Sequence, residues 1–227
     1  EALEKQKEMT EEKSMLLGSA LDELEANIGS VVQCLVKAVE AKDPYTAGHS
    51  ERVAEYCIRM GRYLGLGPFE LRVLELGALV HDAGKIGVPD EILLKPSGLT
   101  KDEFDIIKTH PVIGEEILSN FTLFDECIPI VRWHHERLDG SGYPDGIAGE
   151  DIPFLVRISS VADAFDAMTS SRAYRSGMPP EKAISLLELD VQAGKLDPII
   201  LEALKRTTTD LGVIPQAEAA PVMPKAA

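Results

Sequence analysis

The five histidines of this chain constrain its fold most, because they occur in four segments that lie far apart and each stands beside residues that suit a metal ligand. They are His49, His81, His110, His134 and His135. Asp82 directly follows His81, and Asp163 lies in an apolar segment of helical periodicity. Imidazole and carboxylate together suit Fe, Mn, Ni or Zn, whereas Mg and Ca prefer sites made of oxygen alone. Five imidazoles and two carboxylates predict a two-metal site, so the fold must bring these segments together.

Composition excludes several classes of protein. With 227 residues, 44% of them hydrophobic, the chain can bury one substantial core. A net charge of -15 argues against binding a nucleic acid polymer. The three cysteines form no CxxC pair and fit a reducing cytoplasm. No apolar run approaches the roughly 20 residues of a membrane span, so no direct membrane insertion is expected. Because the chain starts at Glu1 rather than methionine, we expect a fragment of a longer protein.

Residues 1–48 form a charged, helix-favouring segment whose apolar positions alternate at spacings of 4 and 3. These positions are Leu17, Leu21, Leu24, Ile28, Val31, Leu35 and Ala38. Such spacing is typical of a short coiled coil and predicts a dimerising, signalling helix. The alternative is a helix packed on its own domain, since the apolar stripe continues toward the globular part.

Residues 49–206 are expected to form an all-α domain, because apolar residues recur with helical periodicity and no alternating strand run appears. Glycine and proline mark expected helix ends at residues 65–68, 96–98 and 177–180. Residues 207–227 combine proline with alanine and are expected to be a disordered tail.

The segment around His81 predicts how the metals are held. It is an apolar helix that ends in His81 and Asp82, so both ligands would project from a rigid, buried element. Asp82 has two oxygens and can bridge two cations about 3.5 to 4 Å apart. Lys85 would share a helix face with His81 if the helix persists, which would place its ammonium beside a bound phosphate.

These residues resemble the HD phosphohydrolase superfamily, through His81-Asp82 and the later Asp163. Gly142-Tyr143-Pro144, which follows His134-His135-Glu136, is similar to the HD-GYP branch of that superfamily. Three further phrases occur in the same order, namely residues 43–50, 108–111 and 168–175. The resemblance covers about residues 40–206 and implies an HD-domain helical bundle, here with a coiled-coil-like N-terminal helix.

The resemblance implies a metal-dependent phosphodiesterase that cleaves cyclic di-GMP to linear pGpG, and in some members on to GMP, by a metal-bridging hydroxide. It assigns His49, His81, Asp82 and Asp163 to one metal, and Asp82, His110, His134 and His135 to the other. Iron or manganese is the expected cofactor, with nickel or zinc as alternatives. Lys85 would offset the charge that develops on the phosphoryl group.

One position departs from the family pattern. Members with a third metal carry a glutamate four residues before the first histidine, where this chain has Tyr45. Two metals are therefore expected, and efficient cleavage beyond pGpG is in question. Asp43 and Glu40 lie nearby as possible substitutes for the missing glutamate.

Substrate contacts are expected from Tyr143, in the loop that leaves the His134-His135 pair, and from Arg172 and Arg175, which can share a helix face and bind phosphate or guanine. The loop is also a candidate surface for a protein partner. Asp166, Glu136 and Asp139 are expected to orient imidazoles through the nitrogen not bound to metal. Trp133 is expected to belong to the core.

Two functional alternatives remain at this point. A module that senses a cyclic dinucleotide or docks a partner without turnover would not need a complete set of ligands for two metals. An enzyme could instead prefer 3′,3′-cyclic GMP-AMP, which has the same linkages and differs in one base. For the enzyme we expect a homodimer, regulated through the N-terminal helix by an upstream sensor or receiver domain.

Overall fold

The computed structural model describes residues 2–43, 47–170 and 176–209, and every regular element in these ranges is a helix. This confirms the all-α prediction. Tyr45, Arg172 and Arg175 lie outside the described residues, as do residues 210–227 of the expected tail. Residues 207–209 belong to the last helix.

Ten α-helices follow one another in the described ranges. They are α1 (Ala2–Lys42), α2 (His49–Tyr63), α3 (Pro68–Val80), α4 (Asp90–Leu93), α5 (Lys101–Ile107), α6 (His110–Leu118), α7 (Ile128–Trp133), α8 (Phe154–Thr169), α9 (Pro180–Gln192) and α10 (Pro198–Thr209). Short 3₁₀ turns lie at Ala83–Gly87, Thr122–Cys127 and Gly149–Asp151. The helix ends predicted from glycine and proline are confirmed, since α3 and α9 each begin at a proline.

Helix α2 lies at the centre of the bundle and packs against α3, α8 and α10. The core between these helices is apolar and fully enclosed. Its most deeply buried members include Cys57, Met60, Leu74, Ala78, Val156, Ile158, Val161, Phe165, Ile200 and Leu204. Helix α3 also lies close to α7, because a side chain at Gly77 would fall within 2.6 Å of Ile130. The bundle thereby holds the ends of α3, α7 and α8 in fixed relation.

Helix α1 has two distinct parts. Val32, Val36 and Val39 near its C-terminal end are buried, and the first two belong to the main core. Among the earlier residues of the 4-3 stripe, Ile28 is half-buried and the others are exposed, with Leu24 at 55% and Val31 at 69%. The last third of α1 thus packs on its own domain, as one interpretation of the sequence held, while the rest presents its apolar stripe outward. Among the described residues, no helix is long and apolar enough to cross a bilayer.

Candidate metal centre

All seven side chains predicted to bind metal converge from segments far apart in the sequence, six of them from helix ends. They are His49 at the start of α2, His81 and Asp82 directly after α3, His110 at the start of α6, His134 and His135 directly after α7, and Asp163 in α8. Four of the five histidines are buried, and His135 is partly exposed.

The ligand atoms form three overlapping groups, and within each group all of them lie within 4.8 Å of one another. The groups are His49, His81 and Asp163; His110, His134 and His135; and His81, Asp82 and His134. The third group takes one histidine from each of the other two and adds Asp82. Asp82 therefore lies between two potential metal positions.

The hydrogen bonds of the imidazoles select the nitrogen that faces the centre. The Nδ1 atoms of His81 and His110 donate to the carbonyl oxygens of Ala78 and Ile107, at 2.7 and 2.8 Å. The Nδ1 of His134 donates to the Val131 carbonyl oxygen at 2.9 Å. Because a carbonyl can only accept, each neutral ring keeps its proton on Nδ1 and its lone pair on Nε2.

His81 gives the clearest indication of a missing partner. Its Nε2 is buried and has no hydrogen-bond partner, although buried nitrogen acceptors are normally satisfied. This nitrogen lies 3.4 Å from Asp82 Oδ2 and 4.0 Å from Asp163 Oδ1. A divalent transition metal fits this donor set, since imidazole nitrogen and carboxylate oxygen are its usual ligands.

The pKa values of three histidines favour their role as ligands. Burial lowers the pKa of His110, lowers that of His134 well below its ordinary value and brings that of His135 to about 3. All three rings are therefore neutral near pH 7, and neutral imidazole is the form that binds metal.

His49 lies between two aspartates of α8. Its Nε2 lies 3.3 Å from Asp163 Oδ1, and its Nδ1 lies 2.7 Å from Asp166 Oδ2. Burial lowers the pKa of His49, but hydrogen bonds to these two carboxylates outweigh it and raise the pKa to about 9. Arg52 donates to both oxygens of Asp166, at 2.6 and 3.0 Å. The structure thus bears out the orienting role predicted for Asp166, and it adds Arg52, which the sequence interpretation missed.

Asp82 presents its two oxygens to different neighbours. Oδ1 lies 3.4 Å from His110 Nε2, and Oδ2 lies 3.4 Å from His81 Nε2 and 2.7 Å from Lys85 Nζ. Burial would raise the pKa of this carboxyl, but Lys85 and the imidazoles hold it well below its ordinary value. It is therefore an anion with one oxygen for each half of the centre.

Lys85 reaches the centre by a different route from the one predicted. Helix α3 ends at Val80 and a 3₁₀ turn begins at Ala83, so the assumption that the helix persists to Lys85 is wrong. The tighter turn nevertheless brings the ammonium onto Asp82. Gly84 permits this turn, because a side chain there would collide with the backbone of His110 and Gly114 in α6.

The loop after His135 is fixed over that ligand. The rings of Tyr143 and His135 lie 4.7 Å apart at a 32° angle, which places Tyr143 at the edge of the centre. The Oε1 atom of the buried Glu136 accepts from the backbone N–H groups of Asp145 and Gly146, at 2.8 and 2.9 Å. A side chain at Gly142 would clash with the backbone of Glu136. Tyr143 therefore belongs to a rigid loop.

Two residues that were predicted to orient imidazoles accept hydrogen bonds from other groups instead. Glu136 supports the loop just described, and Asp139 accepts hydrogen bonds from the backbone and hydroxyl of Ser141 within a turn. Neither prediction holds, because these carboxylates satisfy nearby N–H and O–H donors instead of imidazoles. Trp133 packs against the core as expected, and its Nε1 donates to Asp145 at 2.7 Å.

A cleft of about 350 Å³ opens beside Lys85. Its walls are mainly apolar and are formed by Asp43, Lys85, Ile92, Leu93, Lys95, Pro96, Ser97, Gly98, Leu99 and Ile107. Clefts of this size and character commonly bind small organic ligands. Because Lys85 borders both the cleft and the centre, one ligand can reach both.

The two residues considered as substitutes for the missing glutamate already have partners. Glu40 accepts from the Gly48 backbone N–H at 2.7 Å and from Lys37 at 2.8 Å. Asp43 lies 3.3 Å from the ammonium of Lys85. Both side chains thus already have polar partners, and the expected count of two metals stays a prediction.

A family model described as HD domain matches residues 33–200 of this chain. The cyclic di-GMP phosphodiesterase response regulator RpfG of Xanthomonas campestris pv. campestris is 39% identical over 210 residues, which are 91% of this chain and 54% of RpfG. The 3′3′-cGAMP-specific phosphodiesterase 3 of Vibrio cholerae is 40% identical over 182 residues, which are 80% of this chain and 39% of that protein. The chain thus spans about half, or less, of the length of these relatives.

Among solved structures, the chain is similar to Bd1817, described as an HDG"Y"P protein from Bdellovibrio bacteriovorus. The TM-score is 0.59 at 27% sequence identity, and the match covers 70% of this chain and 50% of Bd1817. The helical bundle is therefore similar to that of a known structure.

Proposed function

Because the chain belongs to the HD domain family, we propose that it hydrolyses a cyclic dinucleotide, with cleavage of cyclic di-GMP to linear pGpG as its main reaction. The observation that carries this proposal is the buried Nε2 of His81, which has no hydrogen-bond partner although His81 shares ligand groups with His49, Asp82, His134 and Asp163. Metal binding accounts for that atom. The names of RpfG and of the Vibrio protein support a cyclic dinucleotide as substrate.

The proposed centre holds two divalent metals. His49, His81, Asp82 and Asp163 would hold one, and Asp82, His110, His134 and His135 the other. Iron or manganese is the preferred metal, with nickel or zinc next, because the donors are nitrogen and oxygen. When bound, the metals supply positive charge for the phosphodiester and lower the pKa of a water molecule toward about 7.

The side chains around the centre would bind and orient the substrate. Lys85 places an ammonium 2.7 Å from Asp82, where it can contact a phosphoryl oxygen and offset its charge. Tyr143 lies against His135, where it can contact a base or sugar. The cleft beside Lys85 has room for the rest of the dinucleotide. Arg172 and Arg175 are proposed to contact phosphate or guanine.

A second candidate substrate is 3′,3′-cyclic GMP-AMP, which the name of the Vibrio relative supports. Protein purified anaerobically and loaded with Fe²⁺ or Mn²⁺ should be incubated with each cyclic dinucleotide and the products separated by chromatography. We expect pGpG from cyclic di-GMP, with little further conversion to GMP, and loss of turnover in His81→Ala. The exposed Asp151→Asn serves as a matched control. Faster cleavage of cyclic GMP-AMP than of cyclic di-GMP would make cyclic GMP-AMP the preferred substrate. Binding of a dinucleotide without turnover, with Fe²⁺ and with Mn²⁺, would favour a sensing module.

We further propose that the working form is a parallel homodimer joined through α1. In the monomer the stripe from Leu17 to Val31 is mostly exposed, whereas Val32, Val36 and Val39, on the adjacent face of the last third of α1, are buried. A second copy of the same stripe is the simplest occupant, since 4-3 spacing is self-complementary in a coiled coil. RpfG is named a response regulator, which supports regulation by an upstream domain through this helix. The loop around Tyr143 remains a proposed site for a protein partner.

A further inference from the structure

Lys85 is held between two carboxylates that come from different parts of the fold. Its Nζ lies 2.7 Å from Asp82 Oδ2 and 3.3 Å from Asp43 Oδ2. Asp82 follows α3, whereas Asp43 directly follows the last residue of α1. All three side chains are largely buried, with 16% of Lys85 and 8% of Asp43 exposed. The ammonium is therefore fixed from two sides.

The two carboxylates would be used differently once metals bind. Asp82 lies between the two groups of ligands, so bound cations would neutralise its negative charge. The same cations would repel the Lys85 ammonium, because like charges a few ångströms apart repel strongly in a buried site. Among the described residues, Asp43 belongs to none of the three groups that could hold a metal, so metals bound there would leave its contact with Lys85 in place.

We propose that Asp43 is a positioning residue that keeps the Lys85 ammonium at the edge of the metal centre, where the phosphoryl group is bound. This inference rests on the proposed function, in which Lys85 contacts the phosphodiester. Without the Asp43 carboxylate, less attraction opposes the repulsion between the ammonium and the cations. The ammonium then turns toward the open cleft, which both residues border.

Asp43 is itself well anchored. Its backbone N–H donates to the Val39 carbonyl oxygen at 3.0 Å, which continues the last turn of α1. The adjacent Lys42 donates to the Ile86 carbonyl oxygen at 2.8 Å and lies 3.2 Å from Asp90. These contacts tie the end of α1 to the turn that carries Lys85. Asp43 can therefore act as a fixed counter-charge for the ammonium.

A double-mutant cycle tests whether Asp43 acts through Lys85. Lys85→Ala should lose on the order of 10²-fold in turnover with its metals retained, and Asp43→Asn should lose about 10-fold, as supporting residues do. The double variant should be no slower than Lys85→Ala alone. Full activity of Asp43→Asn, or an equal further loss in the Lys85→Ala background, would overturn the proposal. Asp90→Asn removes a carboxylate that is 71% exposed beside Lys42. It is the matched control and should keep its activity, because Lys42 still donates to the Ile86 carbonyl oxygen.

A second measurement does not depend on hydrolysis. Lysine acylation by a water-soluble amine reagent can be followed residue by residue with mass spectrometry in the metal-loaded protein. Lys85 should react several-fold faster in Asp43→Asn than in the unmodified chain, whereas Lys95 should be unchanged. In Asp90→Asn the faster residue should be Lys42 instead. An unchanged rate at Lys85 overturns the positioning role even if neither dinucleotide is cleaved, and a raised rate without cleavage points to failure of the proposed function alone.

Discussion

Asp166 Oδ2 accepts a hydrogen bond from His49 Nδ1 at 2.7 Å, on the opposite side of the ring from the nitrogen that faces Asp82 and Asp163. Asp163 and Asp166 lie one turn apart on α8, so a single helix both supplies a potential ligand and orients another. Arg52, one turn after His49, completes the arrangement by neutralising Asp166. The orientation of His49 thus depends on a carboxylate that touches no metal position.

Asp166→Asn should weaken metal binding without unfolding the domain. The amide loses the charge that favours the His49 orientation, and removal of such supporting partners typically costs 10 to 100-fold in metal affinity. Competition with a calibrated chelator measures the change. Asp139→Asn is the control, because that carboxylate bonds within its own turn to Ser141. Equal metal affinity in the two variants would contradict the role of Asp166.

The position of Asp82 between the two ligand groups predicts how metal content responds to substitution. Elemental analysis of the unmodified chain should approach two transition metals per chain. Asp82→Ala should lose most of both, since its two oxygens face the two halves of the centre. His135→Ala should lose about one, because His135 belongs to only one group. Full metal content in Asp82→Ala would remove it as the bridge, and a native content near three would reveal a third site.

The sequence indicated the seven candidate ligands because its five histidines stand beside suitable residues and because its motifs resemble those of the HD phosphohydrolase superfamily. Helix ends were also predictable, since glycine and proline act locally on the backbone. Arg52 was missed for the opposite reason. Arginine is common on helix surfaces, and its partner Asp166 lies 114 residues further along the chain. Only the tertiary fold of α2 against α8 reveals that pair.

Local geometry also explains the two wrong assignments of orienting residues. Glu136 and Asp139 follow the ligand pair in sequence, so proximity suggested that they support imidazoles. In the fold the chain reverses direction after the ligand pair. The backbone N–H groups of this segment need acceptors, and they donate to Glu136 and Asp139. Carbonyl oxygens at the ends of α3, α5 and α7 support three of the histidines instead. Every residue has a backbone carbonyl group, so these partners of the histidines cannot be predicted from residue identity.

Gly142→Ala should displace the loop that carries Tyr143. A side chain at Gly142 would lie 2.5 Å from the Arg137 backbone nitrogen and 2.6 Å from the His135 carbonyl oxygen. Backbone atoms cannot yield as a flexible side chain can, so we expect a loss of about 1 to 3 kcal/mol in the free energy of unfolding. The KM for the dinucleotide should rise as Tyr143 moves away from His135. Thermal unfolding and steady-state kinetics measure the two effects.

Gly67→Ala provides the comparison for that variant, because its new side chain would meet only the far end of Glu70 at 3.5 Å. It should keep its stability within about 1 kcal/mol, in line with an ordinary surface substitution, and its KM should not change. If both glycine variants behave alike, the loop is not fixed by its contact with the backbone of Glu136.

The stripe on α1 predicts a dimer that can be broken at one position. Leu24 is 55% exposed in the monomer, and in a paired stripe Leu24→Asp would bury an unpaired carboxylate at a cost that a short coiled coil cannot offset. Sedimentation should show a dimer for the unmodified chain and a monomer for Leu24→Asp. Ala26→Asp introduces the same charge on the exposed outer face and should remain a dimer. Activity should fall together with dimerisation, because α1 ends in the contacts that hold Lys85 and the start of α2. Circular dichroism should retain the helical signal of the bundle. A monomeric unmodified chain, or a dimeric Leu24→Asp, would show that the exposed stripe does not pair with a second copy.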